Sequence, residues 1–236
     1  MQIERWFGTI KLKRALKRRD APLNASKRRI GKIMKKYNLV SKYTQRAKGK
    51  RAKKEDANTT NNENKPNIVE RNWQNRQPLE VVVSDLIYVK VANIWYYICL
   101  LLDVATREII GYVAGKKRDA KLVKSSICRA DVDLRKIDIL HTDRGVEFKN
   151  EILDEIIHAF GMRRSLSKKG TPVDNGLMES MYNCLKAEFV YNETFHNLAN
   201  FELELFQYVN WYNNHRPHGG LKQLTPREYK LMLKER

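Results

Sequence analysis

The chain has 236 residues, 42% hydrophobic and 31% charged, a globular composition with room for one sizeable core and a small accessory module. Its longest apolar run, near Trp95 to Leu102, stops at Asp103, and Met1-Gln-Ile-Glu-Arg lacks a secretion pattern; both readings exclude a membrane span or export signal and point to the cytoplasm. The net charge of +19 is concentrated: residues 1–54 hold 20 Lys and Arg against Glu4 and Asp20, leaving +1 for residues 55–236, so the N-terminus should meet a polyanion whose counterions it displaces.

In chain order, residues 1–43 read as a small basic helical domain, with Ile10, Leu12, Leu16 and then Ile30, Ile33, Met34, Leu39 at helical spacing and Asn24-Ala-Ser26 as a helix start. A helix-turn-helix docking on DNA through Lys13, Arg14, Lys27, Arg28 and Arg29 fits this pattern, and so does a plain helical hairpin. Residues 44–76 lose periodicity through Asn58-Thr-Thr-Asn-Asn-Glu-Asn64 and read as a polar linker, with Trp73 and Pro78 marking the return of packing.

Residues 77–195 then read as an α/β core. Glu80–Val89, Ile94–Val104 and Glu108–Ala114 are rich in β-branched and aromatic residues and close enough to pair as antiparallel hairpins. A helix from about Asp119 to Leu134, a strand Ile137–His141, a helix Lys149–Phe160, a short strand near Arg164–Leu166 and a helix beginning near Asp174 complete a mixed sheet flanked by helices. Residues 196–236 form a helical extension, in which Phe201, Leu205, Tyr208, Val209 and Tyr212 repeat as a packing face.

Three acids fall where strand ends and a helix can converge: Asp85 in the first strand, Asp143 just after the fourth, and Glu179 on the late helix. Converging carboxylates without His or Cys suit hard cations such as Mg²⁺, and two such ions about 3.5–4 Å apart stabilise the attacking and leaving oxygens of a phosphoryl displacement. Spacing alone cannot select these three among 27 acids. The context of His141-Thr-Asp-Arg-Gly145, an acid at a strand end before a glycine turn, and the basic loop Lys168-Lys-Gly-Thr-Pro172 leading into the helix of Glu179 do more. On that helix Glu179, Tyr182, Asn183 and Lys186 share one face, with Leu177, Met181, Cys184 and Leu185 turned to the core.

Other features read as structural. Asp103 before Ala-Thr-Arg is a turn former, and His215 and His218 flank a helix-breaking Pro217 without a second ligand pair. Cys99, Cys128 and Cys184, odd in number and far apart, read as buried small hydrophobes rather than a disulfide or zinc framework.

The segments Ser84-Asp-Leu-Ile-Tyr88, His141-Thr-Asp-Arg-Gly-Val-Glu-Phe148 and Gly170-Thr-Pro-Val-Asp-Asn-Gly-Leu-Met-Glu179 through Lys186 resemble the catalytic core of the transposases of two-frame bacterial insertion sequences, relatives of retroviral integrases. Thirty-five residues lie between Asp143 and Glu179, a spacing typical of that family, and Tyr212-Asn-Asn-His-Arg-Pro217 with Leu224-Thr-Pro-Arg-Glu-Tyr229 resembles its C-terminal signature. Val82, Ile87, Thr142 and Arg144 depart from the family's usual residues beside the first two acids.

The resemblance implies a ribonuclease-H-like mixed five-stranded sheet, catalysis by Asp85, Asp143 and Glu179 around two Mg²⁺ or Mn²⁺ ions, and a chain that cuts at mobile-element ends and joins the 3′ ends to target DNA. It implies double-stranded DNA as partner, a homo-oligomer assembled on it, nucleoid association, and an upstream-frame protein or frameshift fusion, for which Met1 lying just before the helical domain leaves room. Lys186, Lys168, Lys169 and Arg144 are the core's candidate DNA contacts. Two rivals are a non-catalytic DNA-binding regulator derived from such a protein and a nuclease that only hydrolyses.

Overall fold

A computed structural model describes residues 7–18, 21–41 and 64–235. The expectations for residues 1–6, 19–20, 42–63 and 236, including most of the proposed linker, lie outside the described residues.

The sheet follows from the β-branched runs. Strands β1 (Val81–Val91), β2 (Ile94–Asp103), β3 (Ile109–Gly115), β4 (Ile139–Thr142) and β5 (Arg163–Leu166) stand in the order β3-β2-β1-β4-β5. The first three form an antiparallel meander and β4 and β5 add in parallel, giving the expected mixed five-stranded sheet. Ala92 and Asn93, both at positive φ, make the two-residue turn between β1 and β2. The meander turn after β2 is built by Asp103, whose carboxylate accepts from the amides of Leu79 (2.9 Å) and Thr106 (3.1 Å), the structural role expected of it.

Side chains alternate along each strand, so both faces bury a core. One face carries Val81, Val83, Ile87, Ile98 and Leu100 against α5 (Gly176–Leu185) and α6 (Leu198–Asn214), through Met178, Met181, Leu185, Phe201, Leu205 and Tyr208. The other carries Val82, Cys99, Leu101 and Leu140 against α3 (Ala120–Cys128) and α4 (Glu151–Ala159), through Leu122, Ile127, Leu153 and Ile157. Each such buried aliphatic or aromatic side chain contributes roughly 1.5–3 kcal/mol. Asp119 and Asn150 cap α3 and α4 by accepting from the amides of Leu122 and Leu153.

Several expectations are corrected. The stretch 64–76 is no linker: Asn67 and Val69 are buried, Leu166 donates to the Pro66 carbonyl, and Ser165 accepts from the Ile68 amide, so the segment lines the open edge of β5. Its polar composition conceals partners that are distant in sequence. The helix expected to reach Leu134 ends at Cys128, and Leu134–Lys136 is a separate short turn that Asp133 caps. Of the cysteines only Cys99 is fully buried, its thiol pushed up to about 12 by burial; Cys184 is partly buried and Cys128, on the last turn of α3, is exposed.

At the N-terminus α1 (Thr9–Lys17) and α2 (Lys27–Lys36) pack on each other, with Ser26 capping α2 by accepting from the Arg29 amide at 3.1 Å. Of the periodic apolar residues Ile30, Ile33, Met34 and Leu39 only Ile30 is buried, while Ile33 in α2 and Leu39 beyond its end are exposed, so the spacing exaggerates the packed face. Helix α1 docks instead on the C-terminal extension: Phe7 stacks on Trp211 and Arg18 pairs with Glu228 of α7 (Pro226–Lys234). Among the described residues no helix is long and apolar enough to cross a membrane.

Candidate active site

The parallel pairing of β1 with β4 runs from Val81↔Ile139 to Ser84↔Thr142. One residue past that last pair stand Asp85, within β1, and Asp143, just beyond β4, so register brings the two positions near each other at the point where β4 stops. Both side chains are partly exposed. Asp143 Oδ1 accepts from the Gly145 amide at 2.8 Å, and Asp85 Oδ1 from the Leu86 amide at 2.8 Å, so local main-chain donors orient each acid.

Beyond Ser84 the edge of β1 has no strand beside it, and α5 takes over. The Tyr182 hydroxyl donates to the Asp85 carbonyl, and Asn175 Nδ2 donates to Asp85 Oδ2 at 3.2 Å from the turn that starts the helix. Tyr182 is therefore a buried anchor, contrary to the expected solvent-facing stripe; burial, with Asp85 nearby, raises its phenol well above the usual range and keeps the proton on the donor. Glu179, between Asn175 and Tyr182 on α5, is exposed. Among the described residues no group of three His, Cys, Asp or Glu side chains is gathered closely enough to hold a metal ion.

The fold assembles further groups here. Glu147 lies in the short turn after Gly145 with its side chain 0% exposed, and Arg118 Nη2, from the loop between β3 and α3, lies 2.9 Å from its Oε1. Burial raises the Glu147 carboxyl and Arg118 opposes that rise; burial also disfavours the Arg118 charge, but Glu147, Asp143 and Asp85 outweigh it and strengthen the guanidinium's hold on its proton. Gly145 has φ near −60°, so the glycine is not there for a left-handed turn; a Cβ on it would collide with the Glu147 carboxylate. Asn175 Oδ1 is buried with no hydrogen-bond partner, an electron-rich atom beside Asp85.

Below the acids His141, fully buried on β4, meets Ser165 Oγ (2.9 Å) and Ser167 Oγ (3.2 Å) and packs edge-on to Trp73. Burial lowers it to about 4 despite the Asp174 charge, so the ring is neutral at physiological pH. Asp174 is buried and gathers the Lys168 amide (2.9 Å), Asn67 Nδ2 (3.0 Å) and Arg71 Nε (2.5 Å); burial alone would raise its carboxyl, and these donors hold it below its ordinary value.

The Lys168–Gly170 loop is thereby tied down at one end rather than free along its length. Lys168 and Lys169 are exposed. Lys186 lies over the Tyr88 ring at 5.6 Å, its ammonium lowered by burial and supported by Asp85. Arg144 Nε is spent within the fold on the Ser167 carbonyl at 2.7 Å. On α1, Lys13 and Arg14 are partly buried, whereas Lys27, Arg28 and Arg29 at the start of α2 are exposed. His218 is enclosed beside Arg216 and edge-on to Tyr212, while His215 is exposed.

Glu147 and Arg118 escape a reading of the sequence. The only signal is an acid two residues after Gly145, beside an apolar Phe148, and nothing local names its partner.

Comparison with known proteins bears on this arrangement. Residues 75–172 match one family model described as an integrase core domain, and residues 160–226 match a second of the same description. The chain is 28% identical over 227 residues to the transposase for insertion sequence element IS904 of Lactococcus lactis, spanning 94% of this chain and 87% of that protein. It is likewise 28% identical to the putative transposase InsK for insertion sequence element IS150 of Escherichia coli, over 70% of this chain and 59% of that one. In three dimensions it resembles a chain of the simian T-cell lymphotropic virus intasome, with a TM-score of 0.54 at 18% identity over 65% of this chain and 54% of the other, a likeness of fold.

Proposed function

Because this chain belongs to the integrase core superfamily, among the insertion-sequence transposases of ribonuclease-H-like fold, we propose that it cleaves DNA at the ends of a mobile element and transfers the 3′ ends to target DNA. One observation supports the reading: the pairing of β1 with β4 ends at Ser84↔Thr142, so Asp85 and Asp143 are the next residues along two neighbouring segments, while hydrogen bonds from Tyr182 and Asn175 tie the helix bearing Glu179 to Asp85.

The donor set fits Mg²⁺ or Mn²⁺. Asp85, Asp143 and the exposed Glu179 offer only hard oxygen atoms, and the unpartnered Asn175 Oδ1 adds another acceptor at the same place. Asp85 and Asp143 would hold the ions jointly, and Glu179 would complete the set by swinging its flexible side chain inward. When bound, two divalent ions supply Lewis acidity at the attacking and leaving oxygens. The residues around them orient and screen. Gly145 and Leu86 amides fix the aspartates, Tyr182 holds the uncovered edge of β1, and Lys186 sets a positive charge where a DNA phosphate approaches the acids.

The exposed basic start of α2, Lys27-Arg28-Arg29, supports duplex DNA as the partner of the N-terminal helices. Assembly as a homo-oligomer on DNA and completion by an upstream-frame protein belong to the same proposal.

The test is direct: labelled element ends are incubated with the chain, alone and fused to its upstream frame, with Mg²⁺ or Mn²⁺. Nicked ends and joined products should form and should vanish in Asp85→Asn and in Glu179→Gln. Persistence of joining in either variant overturns the assignment of the acids; nicking without joining in every format would favour a nuclease that only hydrolyses.

A further inference from the structure

The Arg118–Glu147 pair is buried at one end only. The Glu147 side chain is 0% exposed, whereas that of Arg118 is 39% exposed. Sealing a carboxylate away from water is costly, and a buried ion pair seldom repays the cost as stability. The arrangement is better understood through what it does to the guanidinium. Arginine carries five N–H donors in a rigid planar fork, a shape matched to carboxylate and phosphate alike. Glu147 Oε1 pairs with Nη2 at 2.9 Å as an ion pair, both Glu147 oxygens being buried without a well-formed hydrogen bond, and the exposed part of the guanidinium leaves donors open to a further partner.

Position supports this. Arg118 ends the basic loop Lys116-Lys117-Arg118, whose two lysines are exposed, and it lies close enough to Asp143 and Asp85 for both charges to bear on it. Two adjacent aspartates repel an incoming phosphodiester, and a guanidinium at their rim offsets that repulsion while offering hydrogen bonds. Gly145 completes the device, because any side chain there would drive Glu147 from its seat.

We propose that Arg118 binds a DNA phosphate at the aspartate pair and that buried Glu147 is the positioning residue that aims it. The inference rests on the transposase reading and deepens it by naming a DNA contact of the same site.

The test uses the full-length chain and a labelled duplex carrying the terminal repeat that flanks its gene, with affinity measured across a salt series in EDTA. Loss of one phosphate contact flattens the slope of log affinity against log salt by about 0.9. Arg118→Gln should show that change, with affinity on the order of tenfold weaker. Arg118→Lys, which keeps the charge without the fork, should retain the slope. Glu147→Gln should retain the slope and weaken binding several-fold, and the Arg118→Gln/Glu147→Gln double variant should bind no more weakly than Arg118→Gln alone, since Glu147 acts through Arg118.

An unchanged slope in Arg118→Gln, in a variant that melts like the parent, overturns the proposal, as do additive losses in the double variant. Should Arg118→Gln fail to fold, the slope in Arg118→Lys and the effect of Glu147→Gln decide. Nicking and joining by the parent chain are read separately, so failure of the transposase reading shows itself there and not in the slope.

Discussion

Among the described residues two buried glutamates, Glu147 and Glu188, hold arginines, and they hold them differently. Glu188, in the π-turn Lys186–Val190 that follows α5, takes Arg216 bidentately, with Nε and Nη2 each 2.7 Å from a carboxylate oxygen and both side chains closed to water at 5% and 0% exposure. Tyr208 adds a hydrogen bond to the same carboxylate at 3.2 Å, and Arg216 also touches His218 and the Cys184 thiol. Glu147 is equally buried but leaves Arg118 half in solvent beside Asp143 and Asp85. The closed pair fastens the C-terminal extension to the core. The open pair presents a charge, and the same chemistry becomes a lock or a tool according to whether the guanidinium is sealed.

The sharpest way to break that contrast is to remove each arginine. Arg216→Ala leaves Glu188 buried without its counter-charge and should cost about 3–5 kcal/mol of stability in urea unfolding, most of it recovered in Glu188→Leu/Arg216→Met, which removes both charges together. Arg118→Gln, at the open pair, should shift the midpoint far less. Equal losses at both sites would erase the distinction.

The sheet was legible in the sequence and this distinction was not. Runs such as Val81–Val83 and Ile98–Leu102 declare strands by composition, and the alternation that buries them on two faces follows from the pleat. The placement of Asp85 within β1 and of Asp143 just past β4 was legible from the strand pattern, and the register of β1 on β4 brings the two positions near each other. Asp103 was legible too, since its turn is local. The packed stretch 64–76 was hidden because Asn67 and Arg71 owe their place to Asp174, far along the chain. Glu147 was hidden for the same reason, since a buried acid is intelligible only with Arg118 beside it. Glu179 is singled out by motif alone, and local pattern does not foretell that its side chain is exposed.

The comparison between sealed and open regions extends to pH. His141 is sealed beneath the acids, and burial depresses it to about 4. An unfolded histidine titrates near 6.5, so between those values the unfolded chain binds the extra proton and the native one does not. Stability from this residue is therefore fully present above about pH 6.5 and is lost as pH falls towards 4, by about 3 kcal/mol over that window. Urea midpoints at pH 4.5 and 7 should differ more in the parent than in His141→Asn, which carries no titrating group. A His141→Asn chain with the parent's full acid sensitivity would show that the ring is not the group responsible.

The smallest expected effect on stability falls where the sealed and open regions meet. Tyr182 is buried among the core side chains of α5, and its hydroxyl donates to the carbonyl of Asp85 at the edge that β4 leaves uncovered. Tyr182→Phe keeps the ring and its packing and removes only the donor, so the loss should be about 1 kcal/mol, the usual worth of a neutral hydrogen bond. The effect on turnover should be larger in proportion, because that bond couples the helix bearing Glu179 to the strand bearing Asp85. On the proposed mechanism a slacker coupling lowers the fraction of time in which Asp85, Asp143 and Glu179 could share metal ions, and it leaves the basic residues proposed to bind DNA untouched. Steady-state cleavage by Tyr182→Phe should therefore show a reduced kcat at a nearly unchanged KM, and a raised KM at full kcat would mean that the hydroxyl serves DNA binding instead.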